Sequence, residues 1–531
     1  MKRFLCMLGV LLGFLPGGAA QDEAVLRAAL YLTGADGPEA LDQRFLEELE
    51  ALRSRPVPLN RSSKARLLDS GLLTPYQAAA LQEYRSRSGD VLSFAELELV
   101  DGFGKEAVAA LRPFLSLSSG RMPGEAVRDT ARLGQSALLR ATLKEVAGKY
   151  RMGGGPVEAG LTRKGLDGTC YALCRYRKGK VILGDYNLRY GMGLAFWSAF
   201  LLSGLTTPDA FCRRPSGLTP VWSFSRGSSL RGLACDYVGN HWQWALFAAL
   251  DGTVGGHAMW TGRMGQAGFT VSRNKASVEG RFGWKGVDFF GEAAWQGASP
   301  AAVAGSLFPM GDRWKGAVQL RALPSAFSGK RYGEYGAAAG VAFHTDDRAL
   351  TASWTVDAAL VPVPRTDPTR RQLKSTALFS WTFAPGWLLE SRLVLRLKSG
   401  EDGHADLRAD LSRSLDVWKF RTRLHAVQDG RSGFLGYVEG GWTPPGGFGW
   451  LRLTLYSTPG WQSRIYCYER DAPGSFTVPA CYGTGAQVMA YAGWKRRIRK
   501  TCLKLYLRGS WAVKKEKPRV AGLKVQLEAV R

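Results

Sequence analysis

The dominant pattern along this chain is a strict alternation of apolar and polar residues. Leu389, Ser391, Leu393, Leu395 and Leu397 alternate with Glu390, Arg392, Val394, Arg396 and Lys398. Leu503, Leu505 and Leu507 alternate with Lys504, Tyr506 and Arg508, and Leu523, Val525 and Leu527 alternate with Lys524, Gln526 and Glu528. A period of two gives a strand with one apolar and one polar face. From about residue 134 onward such stretches recur, separated by turn residues such as Lys178-Gly179, Asp429-Gly430 and Pro444-Pro445-Gly446-Gly447. The stretches number roughly twenty, with a range of sixteen to twenty-two, each about nine to twelve residues long. That is the length a tilted strand needs to cross a bilayer.

Two architectures fit. In a large secreted sandwich or propeller the apolar face is the core. In an outer-membrane barrel it faces lipid and the polar face lines the lumen. No repeat of fixed period is visible, which argues against a propeller. Tryptophan is abundant, at 17 residues. Trp242, Trp244, Trp387, Trp418, Trp450 and Trp511 fall near strand ends, where interfacial aromatic girdles lie. The reading is a transmembrane antiparallel β-barrel over residues 134–531. Residues 204–222, 361–371 and 469–480 are its expected outside loops.

Before the strands the pattern is helical. Residues 1–20 have Lys2 and Arg3, an apolar run from Phe4 to Leu15 and a small-residue end, Gly17-Gly18-Ala19-Ala20. This is a secretory signal, with an apolar core too short to span a membrane. Residues 21–55 carry apolar positions at helical spacing around an Ala35-Asp36-Gly37-Pro38 break. Residues 56–120 form a second helical unit, and 121–133 a connector. The expected location is the outer membrane, in contact with its lipid and lipopolysaccharide, with the helical part in the periplasm.

Charge changes the picture. The formal net charge is +26. Residues 21–120 hold 11 basic and 15 acidic groups, whereas residues 121–531 hold 58 basic and 30 acidic. A basic barrel favours anionic partners. Turning the leucines toward lipid places Arg392, Arg396, Lys398, Arg408, Lys419, Arg421, Arg423, Arg452, Lys504 and Arg508 in the lumen. Glu390, Asp406, Asp410 and Glu528 share that face. Either this lining makes a water-filled, anion-favouring pore, or the two signs pair and fill a closed interior.

Without Cys6, seven cysteines remain, and their spacing is not that of a zinc site. Cys467 and Cys481 flank a Pro/Gly-containing loop, for which a loop-closing disulfide and two buried thiols are the alternatives. There is no Walker loop, zinc motif or nucleophile elbow. Asp346-Asp347 reads as a solvated turn. Neither an enzyme nor a cofactor is expected.

One motif carries a family resemblance. Leu59-Asn60-Arg61-Ser62-Ser63-Lys64-Ala65-Arg66-Leu67 opens the second helical unit. Thr74-Pro75-Tyr76-Gln77-Ala78, Phe94-Ala95-Glu96-Leu97, Val100-Asp101-Gly102-Phe103-Gly104-Lys105 and Leu111-Arg112-Pro113-Phe114 follow. The order resembles the tandem helix-hairpin-helix domain of ComEA-type competence DNA receptors. It implies a phosphate-binding hairpin at Gly102, Phe103, Gly104 and Lys105, where backbone N–H groups open a helix. Such contacts read phosphate rather than base sequence. In the first hairpin the glycine positions are Leu72 and Thr74, so that nest is lost, and the domain is acidic. The fusion of such a domain to a strand-rich region resembles a family of Gram-negative helix-hairpin-helix domain-containing barrel proteins, and the stretch from Gly184 to Trp197 resembles one of its signatures. As a strand, that stretch would turn Ile182, Tyr186, Leu188 and Tyr190 outward and Asp185, Asn187 and Arg189 inward, with a sharp bend at Gly191 and Gly193. The implied function is binding or transport of an anionic polymer, with DNA as the candidate. The alternative is a docking protein whose helical domain binds a periplasmic protein and whose barrel is plugged or only an anchor.

Overall fold

Ser136 pairs with Val530 and Thr142 with Lys524, so the first long strand, Gly134–Thr142, closes an antiparallel ring with the last, Val520–Val530. A computed structural model describes residues 23–531 except 55, 120–133, 199–203, 263–264, 325, 328–333, 364–365, 516–518 and the side chains of 54 and 361–369. The expected signal peptide and connector lie outside the described residues. The expected 361–371 loop is instead paired strand on both sides of residues 364–365, the strands Leu350–Val363 and Thr366–Ala384.

The ring has 24 strands, more than the sixteen to twenty-two read from the pattern. Several strands are short, such as Cys170–Tyr176 and Val157–Lys164, and turns of only a few residues hide the breaks between them. A four-residue strand, Gly217–Pro220, pairs only with the end of Gly179–Arg189 and adds no separate stave.

The faces follow the alternation. Leu393, Leu395, Leu397, Leu407, Leu424, Leu451 and Leu453 are exposed, while Val394, Arg408, Arg423 and Arg452 are buried. Because the ring is even and antiparallel, both of its ends lie at one mouth, and that mouth carries short turns. Trp242, Trp260, Trp284, Trp314, Trp381, Trp418 and Phe420 are exposed on strand ends at this mouth, an interfacial girdle. Trp450 is the exception to the expected girdle. It is buried inward, with the Arg470 guanidinium 3.6 Å above its ring.

The helical residues form one body. The helices are α1 (Glu23–Thr33), α2 (Gln43–Ser54), α3 (Lys64–Asp69), α4 (Pro75–Ser88), α5 (Phe94–Leu97) and α6 (Gly104–Leu111). Their starts are chemically marked: Ser63 caps α3, Thr74 and Gln77 make a capping box with Pro75 in the first turn of α4, and Ser93 and Glu96 make another on α5. Leu26, Leu49, Leu59, Leu67, Leu81, Leu97, Leu111 and Phe114 share one core, so residues 23–54 and 57–117 pack as a single unit.

This unit is inside the barrel. It touches inward-pointing side chains on strands spaced round most of the ring: Lys149, Lys180, Arg281, Arg392 and Arg423. A body in contact with the inner face at such separated staves is enclosed by it. The sequence led to a helical domain standing clear of the barrel; the structure makes it a plug.

Two long connections expected outside also fold inward. In the first, Phe211 is fully buried and the Thr206 hydroxyl donates to the Gly34 carbonyl at 2.9 Å. Gly34 has φ +64°, and a Cβ there would meet Ala210 Cβ at 2.1 Å, so the contact needs glycine. In the second, Tyr468 joins the plug core. Cys467 and Cys481 are both buried and free, the thiol alternative of the two. The stretch after Gly184 also departs from its expected face. Ile182, Tyr186, Leu188 and Tyr190 are buried, and Val181 and Leu183 face outward instead. Ile182, Tyr186, Leu188 and Tyr190 pack against Phe196 and Leu218 of the connection that follows, and Gly191 and Gly193, at φ +65° and +79°, turn the chain into the lumen. There Glu292 accepts the Met192 N–H at 2.6 Å and the Leu194 N–H at 3.1 Å.

Candidate functional site

The candidate site is the charged seam between plug and wall. The plug presents carboxylates, and the wall and inward loops present cations. On α2, Glu47 meets Lys149 Nζ at 2.5 Å and Glu48 meets Arg189 at 3.2 Å. At the end of α3, Asp69 takes Arg175 at 2.6 Å and Lys180 at 2.8 Å. At the turn between α1 and α2, Asp36 lies 3.6 Å from Arg392 and 3.9 Å from Lys374. Glu39 bridges Arg423 at 2.7 Å and Arg408 at 3.2 Å. Glu23 pairs with Arg470 at 3.2 Å. Lys64 donates in the opposite sense, to the Asn240 carbonyl at 2.7 Å.

Burial would raise the Glu39 carboxyl, but Arg423, Arg408 and Arg392 outweigh it and hold it well below the usual carboxylate range. Burial likewise acts on Asp69, and Lys180 and Arg175 overcome it in the same way. Two plug carboxyls behave oppositely. Burial, with Glu528 and Glu47 nearby, pushes Glu50 up to about 8 against the Gly474 N–H it accepts at 2.7 Å. Burial and the adjacent Asp209 push Glu106 up to about 7.

These two groups set a pH dependence. A displaced plug returns both carboxyls to water and to their ordinary range near 4.5. Docking therefore takes up protons, is fully supported below that range, and weakens as pH rises through about 7 and 8. Glu39 and Asp69 have the opposite sign, but their support is lost only in strong acid. Trypsin should therefore cut the plug of the detergent-embedded protein faster at pH 9 than at pH 6, after correction for trypsin's own profile. Glu50→Gln should flatten that difference, and an unchanged difference would remove Glu50 from the explanation.

Of the ten basic residues assigned to the lumen, Arg392, Arg408, Arg423, Arg452 and Arg508 are buried and the other five half-buried. Arg392 pairs with Asp406 at 2.7 Å, Arg421 with Glu390 at 3.0 Å, Arg452 with Glu439 at 2.5 Å, Lys398 with Glu401 at 3.2 Å and Lys504 with Glu528 at 3.3 Å. Arg508 pairs with Glu469 of the second inward loop. Among the described residues neither Arg396 nor Lys419 has an ion pair.

The four hairpin residues stand apart from this seam. Gly102 and Gly104 have φ +80° and +68°, and a Cβ on Gly102 would meet the Tyr76 ring at 2.7 Å. The Gly102 carbonyl accepts Gln77 Nε2 at 2.7 Å, Phe103 is buried, and Gly104 and Lys105 are exposed. This second hairpin looks out of the short-turn mouth, beside Leu92 and Leu99, which are 78% and 84% exposed. The first hairpin, with Leu72, Leu73 and Thr74, is buried.

Sequence reasoning missed Asp36, Glu39, Glu47 and Asp69 as anchors, and Lys149, Arg175, Lys180 and Arg470 as their partners. A signal was there: an acidic helical segment precedes a strongly basic strand region, and opposite signs in one chain attract.

The barrel resembles solved outer-membrane structures. The outer membrane protein OpdK of Pseudomonas aeruginosa aligns over 75% of this chain and 99% of its own, at 10% identity and TM-score 0.29. A chain of the E. coli P pilus tip assembly intermediate PapC-PapD-PapK-PapG aligns over 77% of this chain and 62% of its own, at 9% identity and TM-score 0.47. The PapC usher translocation pore aligns over 75% and 98%, at 9% identity and TM-score 0.35. These likenesses lie in the barrel fold alone. No family model and no curated protein matches the chain.

Proposed function

We propose that this chain is an outer-membrane transport barrel, closed at rest by its own acidic helical plug, whose lumen accepts anionic cargo once the plug moves. One observation carries the reading: the plug is tied to the wall by ion pairs, with acids on the moving part and bases on the fixed part. Apolar packing would favour permanent docking. Charged contacts between polar surfaces can instead exchange for water and for an incoming anion. The wall left behind is rich in arginine and lysine, which biases the open lumen toward anions.

Planar-bilayer recordings test this. The resting protein should conduct little, and openings produced by breaking the seam should be anion-selective. Cation selectivity would refute the anionic cargo. Location is tested by fractionation with and without heating. The barrel satisfies its backbone hydrogen bonds internally, so it should partition with the outer membrane and migrate anomalously until boiled. Recovery in the soluble fraction would refute the location.

The exposure of Gly104 and Lys105 at the short-turn mouth favours a second reading, in which the plug's outer face contacts DNA or a periplasmic protein. If it is DNA, the full chain should bind it at micromolar concentration or weaker, without sequence preference, and lose it with added salt. Lys105→Ala should weaken binding further. No retention even at low salt would leave this face as a protein-docking surface.

A further inference from the structure

We propose that the wall pocket filled by Glu39 is an oxyanion-binding site, which the plug's own carboxylate occupies in place of a carboxylate or phosphate group of the cargo. The word cargo rests on the transport reading; the binding site itself does not.

The pocket is built by the wall rather than by the plug. Arg423 Nε donates to Asp410 Oδ1 at 2.7 Å, and Arg408 Nε lies 3.1 Å from Asp410 Oδ2. Asp410 is fully buried between them. Arg423 is thereby hydrogen-bonded to the wall along one edge, Arg408 meets Asp410 by a charge contact alone, and both turn Nη1 to Glu39. Arg392 donates through Nη2 to Asp406 Oδ1 at 2.7 Å. The Tyr437 ring lies under Arg423, 5.2 Å from its carbon. Four guanidiniums, of Arg392, Arg408, Arg421 and Arg423, share this wall with only three carboxylates, of Glu390, Asp406 and Asp410, so the pocket needs an anion from elsewhere.

Glu39 supplies it. Its Oε1 accepts Arg423 Nη1 at 2.7 Å and the Tyr468 backbone N–H at 3.3 Å, and its Oε2 accepts Arg408 Nη1 at 3.2 Å. Two oxygens on two guanidiniums plus a backbone N–H is how a compact oxyanion is held. The cradle is closely fitted: a Cβ on Gly37 would meet Glu39 Oε2 at 2.6 Å and Arg408 Nη1 at 2.7 Å. Glu39 sits on a single 3-10 turn, Pro38–Ala40, and its contacts with Arg408, Arg423 and the Tyr468 N–H are made by its carboxylate. A free anion of the same size could therefore make these contacts without the rest of the plug.

The test is anion competition in the full chain, in detergent, read by the rate at which trypsin cuts the plug. When opening is fast, cleavage tracks the displaced population. Glu39 fills the pocket while the plug is docked, so a free oxyanion binds the displaced state alone. Sodium acetate or inorganic phosphate at ten times its dissociation constant for the open pocket should therefore speed cleavage of the wild type about tenfold. Sodium chloride at equal ionic strength should not. The anion that acts at the lower concentration identifies the group preferred. Glu39→Ala leaves the pocket open in both states, so it should be cut faster than the wild type and respond to neither anion. Arg423→Met should abolish the response as well. No acceleration by either oxyanion beyond that of chloride, or an equal acceleration in Arg423→Met, overturns the proposal. If Glu39→Ala does not assemble, Glu39→Gln keeps the volume and removes the charge. It should be cut faster than the wild type, and a wild-type cleavage rate would overturn the proposal. Cleavage is read without conductance, so failure of the transport reading and failure of this site are separate results.

Discussion

Simultaneous replacement of Asp36, Glu39 and Asp69 by Asn, Gln and Asn should turn a nearly silent barrel into one that conducts. In the wild type these three carboxylates hold Lys374, Arg392, Arg408, Arg423, Arg175 and Lys180. Removing one partner of a buried pair leaves the other charge without compensation, at a cost of about 3–5 kcal/mol. Even one such loss would move the docked-to-displaced ratio by roughly two to four orders of magnitude. The three sites are not fully independent, because Asp36 and Glu39 share Arg392 and its neighbours, so their effects should not simply add. Single-channel recordings check this. A triple variant as silent as the wild type would mean that apolar contacts, such as Tyr468 in the plug core, hold the plug on their own.

The second large effect concerns the outer face. Leu393→Arg, near the middle of the strand Trp387–Lys398, should destabilise the inserted barrel by about 2–4 kcal/mol. Leu397→Arg, near the end of the same strand, should cost only about 0–1 kcal/mol, because its charge reaches the interface. Both leucines are exposed in the fold, so a soluble protein would tolerate the two changes alike. Unfolding from lipid vesicles, monitored by the loss of heat-modifiable migration, measures the difference. Equal and small effects would argue against a lipid-facing surface.

Much of this was legible in the sequence. A period of two is local, and Leu393 to Lys398 states it within six residues, so the class of fold and the direction of each side chain follow from it. The caps at Ser63, Thr74 and Ser93 are also local, and they mark the plug helices. Gly102 and Gly104 take positive φ, as a tight interhelical turn requires. The strand number was not legible, because turns of two or three residues between short strands leave little trace. Nor was the inward sense of Ile182, Tyr186, Leu188 and Tyr190, which is set by packing against Phe196 and Leu218 of the connection that follows.

What only the tertiary structure decided is where the helical domain goes. Alternation says that Arg408 and Arg423 share a face with Asp410, but not that Glu39, 384 residues from Arg423 in the chain, comes to lie between them. Ion pairs are set by the closing of the ring and by the folding inward of residues 204–222 and 463–482, and neither leaves a periodic signal. Net charge by segment hinted at the outcome, since opposite signs attract whatever the topology. Partner choice, however, is a matter of distances of a few ångströms, and those exist only once 24 strands have closed round the plug.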